Sequence, residues 1–161
     1  MDYPVTPAIR VLREKKVEFT LHVFEYVEKG GTRHSSAILG VPEHAVVKTL
    51  IFETNEKKPL IFLQHGDFQV STKTLARILS VKTVAPAAPE KASKLTGYLV
   101  GGTSPFGVKT KMPIFAEKSI FDLEKIYING GKRGFLVEVK PAVLERVFEE
   151  IKKVEAAVKD V

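Results

Sequence analysis

A lysine interrupts an otherwise apolar run, Val46-Val47-Lys48-Thr49-Leu50-Ile51-Phe52. In an extended chain alternate side chains face opposite ways, so Val46, Lys48 and Leu50 share one face while Val47, Thr49 and Ile51 share the other. An ammonium among such neighbours must reach water, lose its proton or meet an anion. It is therefore either an edge-strand lysine that blocks sheet-to-sheet pairing or a cation held for an anionic ligand. Two glycine-rich segments suit the same kind of ligand. The run from Gly97 to Pro105 passes from apolar residues into Gly101-Gly102-Thr103-Ser104. Paired glycines permit positive φ, so successive N–H groups can converge on an anionic oxygen, and Pro105 stiffens the exit. The run from Ile126 to Gly134 repeats this logic with Gly130, Gly131, Lys132 and Arg133 at its tip, a plausible phosphate clamp. Either segment also reads as a tight turn with a solvated tip.

Other chemistries lack their parts. The stretch from Gly102 to Thr110 has the glycines and lysine of a phosphate-binding loop, but Val108 separates Gly107 from Lys109 and Pro113 soon forbids the helix such a loop opens. Ser104 lacks the second glycine of a nucleophile elbow, and Pro105 after it has no N–H to offer an oxyanion. With no cysteine in the chain, thiolate nucleophiles, thiolate metal ligands and disulfides are excluded. His22, His34, His44 and His65 show no metal-binding spacing, so neither a metal nor a cofactor is expected. His34, read in a glycine-flanked loop, is either an ordinary exposed loop histidine or one that touches a ligand.

These residues need a scaffold, and its elements can be read from periodicity. Thr6 and Pro7 have the chemistry of a helix start, and Val17 to Tyr26 alternates as a strand. Lys29 to Thr32 reads as a loop and His34 to Leu39 as a short helix stopped by Gly40. The Lys48 strand, a turn over 55–59 and a strand over 60–64 form a hairpin. Ser71 or Thr72 caps a helix carrying Leu75, Ile78 and Leu79, and another helix lies near Pro89 to Leu95. Short strands follow at 98–100, 113–116, 126–128 and 135–139. Pro141 opens a last helix whose Leu144, Val147, Phe148, Ile151 and Val154 keep helical spacing. Without steady βαβ alternation this is α+β, with a mixed, mostly antiparallel curled sheet or barrel and flanking helices. A length of 161 residues with 44% hydrophobic and 27% charged residues fits one soluble domain over 1–161. The net charge of +6 favours a polyanion, nucleic acid first. The start, Met1-Asp2-Tyr3, has no apolar leader, and no later run reaches the roughly 18 apolar residues of a membrane span, so a cytoplasmic setting is expected.

Taken in order, Val46 to Leu50, Thr96 to Pro105 and Gly130 to Gly134 resemble the YbaK/EbsC family of aminoacyl-tRNA deacylases. Thr6 to Ala8 and Phe19 to Tyr26 extend the similarity over nearly the whole chain. The resemblance implies a mixed α+β barrel and a trans-editing enzyme that cleaves mischarged Cys-tRNA(Pro), with Cys-tRNA(Cys) as a second candidate. It implies no cofactor, an aminoacylated tRNA(Pro) partner, prolyl-tRNA synthetase as a further partner, and no DNA. By this resemblance Lys48 is the active-site lysine, and Gly101, Gly102, Thr103, Ser104 and Pro105 form the loop beside the scissile ester. Phe24, Thr49, Gly130, Gly131, Lys132 and Arg133 are expected around the substrate. Phe24 stands where YbaK has a tyrosine and Leu136 falls near an acidic position, so alanine or serine remains open as the amino acid removed. The family's attacking group is the substrate's own thiol, which suits an enzyme with neither triad nor metal. A module that binds tRNA or a synthetase without catalysis is the alternative from another class.

Overall fold

In a computed structural model, residues 4–159 are described; the leader reading of Met1, Asp2 and Tyr3 and the last two residues of the expected 1–161 domain lie outside them. Thr6 caps α1 (Pro7–Glu14), its hydroxyl accepting the Ile9 N–H, while Pro7 needs no N–H partner at the first turn. The chain continues through β1 (Thr20–Val23), α2 (Gly31–Leu39), β2 (Val46–Thr54), β3 (Pro59–His65) and β4 (Phe68–Val70). Next come α3 (Thr72–Leu79), capped by Ser71, then β5 (Val84–Pro86), α4 (Pro89–Thr96) and β6 (Ile114–Glu117). Last are β7 (Ile126–Lys132), β8 (Phe135–Val139), α5 (Ala142–Val147), β9 (Lys152–Val154) and β10 (Ala157–Lys159).

The main sheet runs β1-β8-β7-β2-β3-β6-β9, with β5 also on β2, and β4 pairs with β10 in a second, two-stranded sheet. Antiparallel ladders join β1 to β8, β8 to β7, β2 to β3 and β2 to β5, whereas β2–β7, β3–β6 and β6–β9 are parallel. The sheet is thus mixed and mostly antiparallel, as expected, but it stays open: β1 and β9 end the path without pairing to each other, so the barrel alternative is not realised. One face buries Val47, Ile51, Ile61, Leu63, Ile126 and Ile128 against α1 and α5. The other carries two smaller clusters, Val46 with Tyr127 and Leu136 at one end, and Phe52 with Phe62, Leu75 and Phe115 at the other. Lys48 lies between those two, opposite Gln64 of β3.

Strand β2 is interior, which removes the edge-strand explanation of Lys48. Its outer side is covered in two pieces only: β7 pairs at Val46 and Val47, and β5 at Phe52 to Thr54. Between them Ala87 donates its N–H to the Ile51 carbonyl at 2.9 Å, and residues 48–50 border a gap in the sheet.

Four sequence expectations need correction. The last helix stops at Val147, and Lys152 to Val154 join the sheet beside β6. The spacing from Leu144 to Val154 also suits a turn followed by an extended strand, and pairing with a buried neighbour outweighs local propensity. The strand expected at 98–100 is a turn in which the Tyr98 hydroxyl donates to the Phe106 carbonyl at 2.6 Å while Leu99 and Val100 stay exposed. The 29–32 loop ends early, because α2 begins at Gly31, and His34 sits within that helix rather than in a loop. The strand read over 17–26 shrinks to β1.

Candidate functional site

The gap beside β2 opens into a cleft of about 950 Å³. Three pieces of chain surround Lys48 there. The first is α2, which supplies Thr32 and His34. His34 Nε2 donates to the Glu25 carbonyl at 3.0 Å and its ring lies 6.0 Å from that of Phe24, so the helix start and the segment after β1 are held together. The second is the turn after β3. Gly66 presents its carbonyl to Lys48 Nζ at 3.4 Å, and Thr32 Oγ1 lies 3.1 Å from the same oxygen. Thr32 has a single hydroxyl proton, which goes to the nearer acceptor, Glu43 Oε2, at 2.7 Å. Gly66 cannot be exchanged cheaply: an added Cβ would come within 2.8 Å of Thr32 and of the Glu43 main chain.

The third piece is the paired-glycine loop. Gly102 donates its N–H to the Leu99 carbonyl at 2.8 Å, closing a turn that places Gly101 at φ +89°. The Gly101 N–H has no acceptor among the described residues. The carbonyls on either side of this N–H are held from behind. Arg133 Nε donates to the Val100 carbonyl at 2.8 Å while its guanidinium stacks on Tyr26, 5.0 Å from the ring centroid. Asn129 Nδ2 donates to the Gly101 carbonyl at 3.2 Å. Asn129 also binds the second glycine segment, its Oδ1 accepting the N–H groups of Gly131 at 2.6 Å and Lys132 at 3.1 Å. One amide therefore ties both glycine segments together.

Among the residues singled out by sequence, Lys48, Thr49, Phe24, Gly101, Thr103, Arg133 and Leu136 line the cleft. Gly102, Ser104, Pro105, Gly130, Gly131 and Lys132 do not. Ser104 is fully buried, with Oγ accepting the Phe106 N–H, so its hydroxyl serves the loop's own backbone. The N–H groups of Gly131 and Lys132 both donate to Asn129 Oδ1. Thr49 Oγ1 is buried with no hydrogen-bond partner among the described residues. Sequence reasoning passed over Tyr26, Thr32, Glu43, Gly66 and Asn129. Only Asn129 carried a signal, since an asparagine before two glycines is the pattern of a side chain that accepts from the main chain two residues on.

No histidine spacing announced a metal site, yet the fold gathers His44, His65 and Asp67 with potential ligand atoms within 4.8 Å of one another. The arrangement suits packing better than coordination. The His44 and His65 rings stack 3.6 Å apart at 7°, so their lone pairs run in parallel planes instead of converging on one ion. His65 Nδ1 donates to the His44 carbonyl, Nε2 meets Ser119 Oγ at 2.7 Å, and His44 Nδ1 bonds Asp67 at 2.9 Å. Burial pushes the His65 pKa below the ordinary histidine value, which keeps that ring neutral. No helix among the described residues is long and apolar enough to cross a membrane.

Comparison with known proteins gives a concordant picture. Residues 31–147 match the model of the aminoacyl-tRNA editing domain. A protein of Enterococcus faecalis named "Putative Cys-tRNA(Pro)/Cys-tRNA(Cys) deacylase EbsC" is 28% identical over 140 residues, covering 86% of this chain and 85% of that protein. The proline–tRNA ligase of Streptococcus thermophilus is 27% identical over 140 residues, and the chain spans only 21% of its length. The crystal structure of "a putative trans-editing enzyme for prolyl tRNA synthetase" superposes with a TM-score of 0.80, covering 98% of this chain and 100% of that one at 18% identity, which is a likeness of fold.

Proposed function

The chain belongs to the aminoacyl-tRNA editing domain family, and from that membership we propose that it is a trans-editing deacylase of the YbaK/EbsC type whose preferred substrate is Cys-tRNA(Pro), with Cys-tRNA(Cys) second. The observation that carries the reading is the shared cleft of Lys48 and the Gly101 turn, at a gap in the middle of a sheet. An aminoacyl ester is already activated, so the protein need only hold the 3′ end, aim donors at the developing oxyanion and admit an attacking group. Gly101 N–H is the donor we assign to the oxyanion, with Thr103 beside it; one such donor is worth roughly 3 kcal/mol. Lys48 meets the terminal ribose or phosphate, or the aminoacyl group itself. The cysteine thiol then closes on its own carbonyl carbon: a C–S bond forms, the ester C–O bond breaks, and the thiol proton passes to the departing ribose oxygen. Phe24, Val46 and Leu136 give the cleft an apolar wall fit for a small side chain.

In this reading residues 1–161 act as one editing domain, aminoacylated tRNA(Pro) is the partner, and prolyl-tRNA synthetase is a second. Deacylation of Cys-, Ala- and Ser-tRNA(Pro), with Pro-tRNA(Pro) as control, tests it. Cys-tRNA(Pro) should be cleaved fastest and Pro-tRNA(Pro) spared. Equal cleavage of the alanyl ester would remove the thiol step, and tRNA binding without cleavage of any ester would leave a non-catalytic module.

A further inference from the structure

Building on the deacylase reading, we propose that Glu43 receives the α-ammonium group of the aminoacyl ester, so that the enzyme takes substrates with a free amine and refuses N-blocked ones. Glu43 is half-buried in the short 3-10 turn that leads into β2, and it lines the same cleft as Lys48 and Gly101. Its Oε2 is oriented by the Thr32 hydroxyl at 2.7 Å. That bond occupies one of about four acceptor positions on a carboxylate and fixes the plane of the rest. None of the ion pairs among the described residues includes Glu43. The other carboxylate lining the cleft, Glu28, is exposed at the rim, and the remaining charged side chains there are the cations Lys29, Arg33, Lys48 and Arg133.

The frame that holds Glu43 also holds Lys48. Gly66 packs against the Glu43 main chain so closely that a Cβ would lie 2.8 Å from its carbonyl oxygen, and the Gly66 carbonyl is the one that Lys48 Nζ contacts. A carboxylate and an ammonium thus both lie against the Gly66 turn, one through its main chain and the other through its side chain, and such a pair complements a ligand whose charges run in the reverse order. The 3′ end of an aminoacyl-tRNA is of that kind, with a cationic amine one carbon from the ester carbonyl and an anionic phosphate beyond the ribose. Blocking the amine as an amide removes the cation and adds bulk beside a half-buried carboxylate, which leaves that charge unpaired. Peptidyl-tRNA and N-acylated initiator tRNA would be spared.

The test compares wild type with Glu43→Gln on Cys-tRNA(Pro) and N-acetyl-Cys-tRNA(Pro). Glutamine keeps the acceptor for Thr32 and nearly the same volume while removing the charge. A charge-assisted hydrogen bond predicts that acetylation lowers the wild-type kcat/KM by roughly 10- to 100-fold. Glu43→Gln should show a similar loss on the free-amine substrate and little further loss on the acetylated one. Equal wild-type rates on the two substrates, or undiminished discrimination in Glu43→Gln, would overturn the inference while leaving the deacylase reading intact. Wild-type inactivity on the free-amine substrate would overturn both. Should Glu43→Gln unfold, Glu43→Asp keeps the charge at shorter reach and must then retain most of the discrimination.

Discussion

Lys48 shows how a charge is accommodated beside an apolar strand: it sits between two small cores, against the Gly66 carbonyl, at the floor of an open cleft. The lysine was legible because a cation in an apolar run demands a reason, whereas Arg133 was legible only as a charge. Its geometry makes it a brace for the Gly101 turn, bonded to Val100 and stacked on Tyr26. Arg133→Ala should therefore lower kcat by roughly 10- to 100-fold, about the worth of one hydrogen bond to a charged group, with KM for tRNA nearly unchanged. A rise in KM with a salt slope shallower by about one unit would instead make Arg133 a phosphate ligand. His65 yields a second prediction at this scale. It is fully buried and its folded pKa lies below 6.5, so at acidic pH the unfolded chain binds a proton that the folded chain refuses. The groups facing it are His44, Asp67, Glu117, Ser119 and Phe68. Its contribution is present above pH 6.5 and is lost as pH falls through the lowered folded value; Tm measured from pH 7 to 5 should drop, with a shallower slope in His65→Asn.

At the scale of elements, the hairpin of β2 and β3, the capped starts of α1 and α3, and α4 behind Pro89 were legible because caps, prolines and alternation are local signals. The fate of residues 148–154 was not. Their apolar spacing fits a helix, and only the distant Phe115-Ala116-Glu117 backbone, unknown to a local reading, draws them into the sheet. The two glycine segments were found separately, but their contact was invisible in sequence, since it depends on β7 bringing Asn129 under the Gly101 turn. That contact is tight. A Cβ on Gly102 would stand 2.8 Å from the Arg133 nitrogen and 2.9 Å from the Lys132 carbonyl carbon, both main chain. Gly102→Ala must push the two segments apart, at a cost of roughly 1–3 kcal/mol for overpacking. A Tm lowered by about 2–10 °C, together with a larger loss in kcat than in tRNA affinity, is the expected result. An unchanged Tm and rate would show that the contact is slack.

For the molecule as a whole, the net charge of +6 and the wide cleft favour a large anionic substrate. The KM for aminoacyl-tRNA should rise steeply between 50 and 200 mM salt while kcat stays within about twofold, because counterion release acts on binding and not on ester cleavage. A salt-independent KM would dissociate the charge from substrate capture. The central claim is that Lys48 and the Gly101 turn form one deacylation centre, and single-turnover cleavage of Cys-tRNA(Pro) by wild type and Lys48→Ala tests it most directly. Loss of a cation from the site should slow cleavage by at least roughly tenfold, with Tm held within a few degrees of wild type. A folded Lys48→Ala that cleaves Cys-tRNA(Pro) at the wild-type rate would contradict the account.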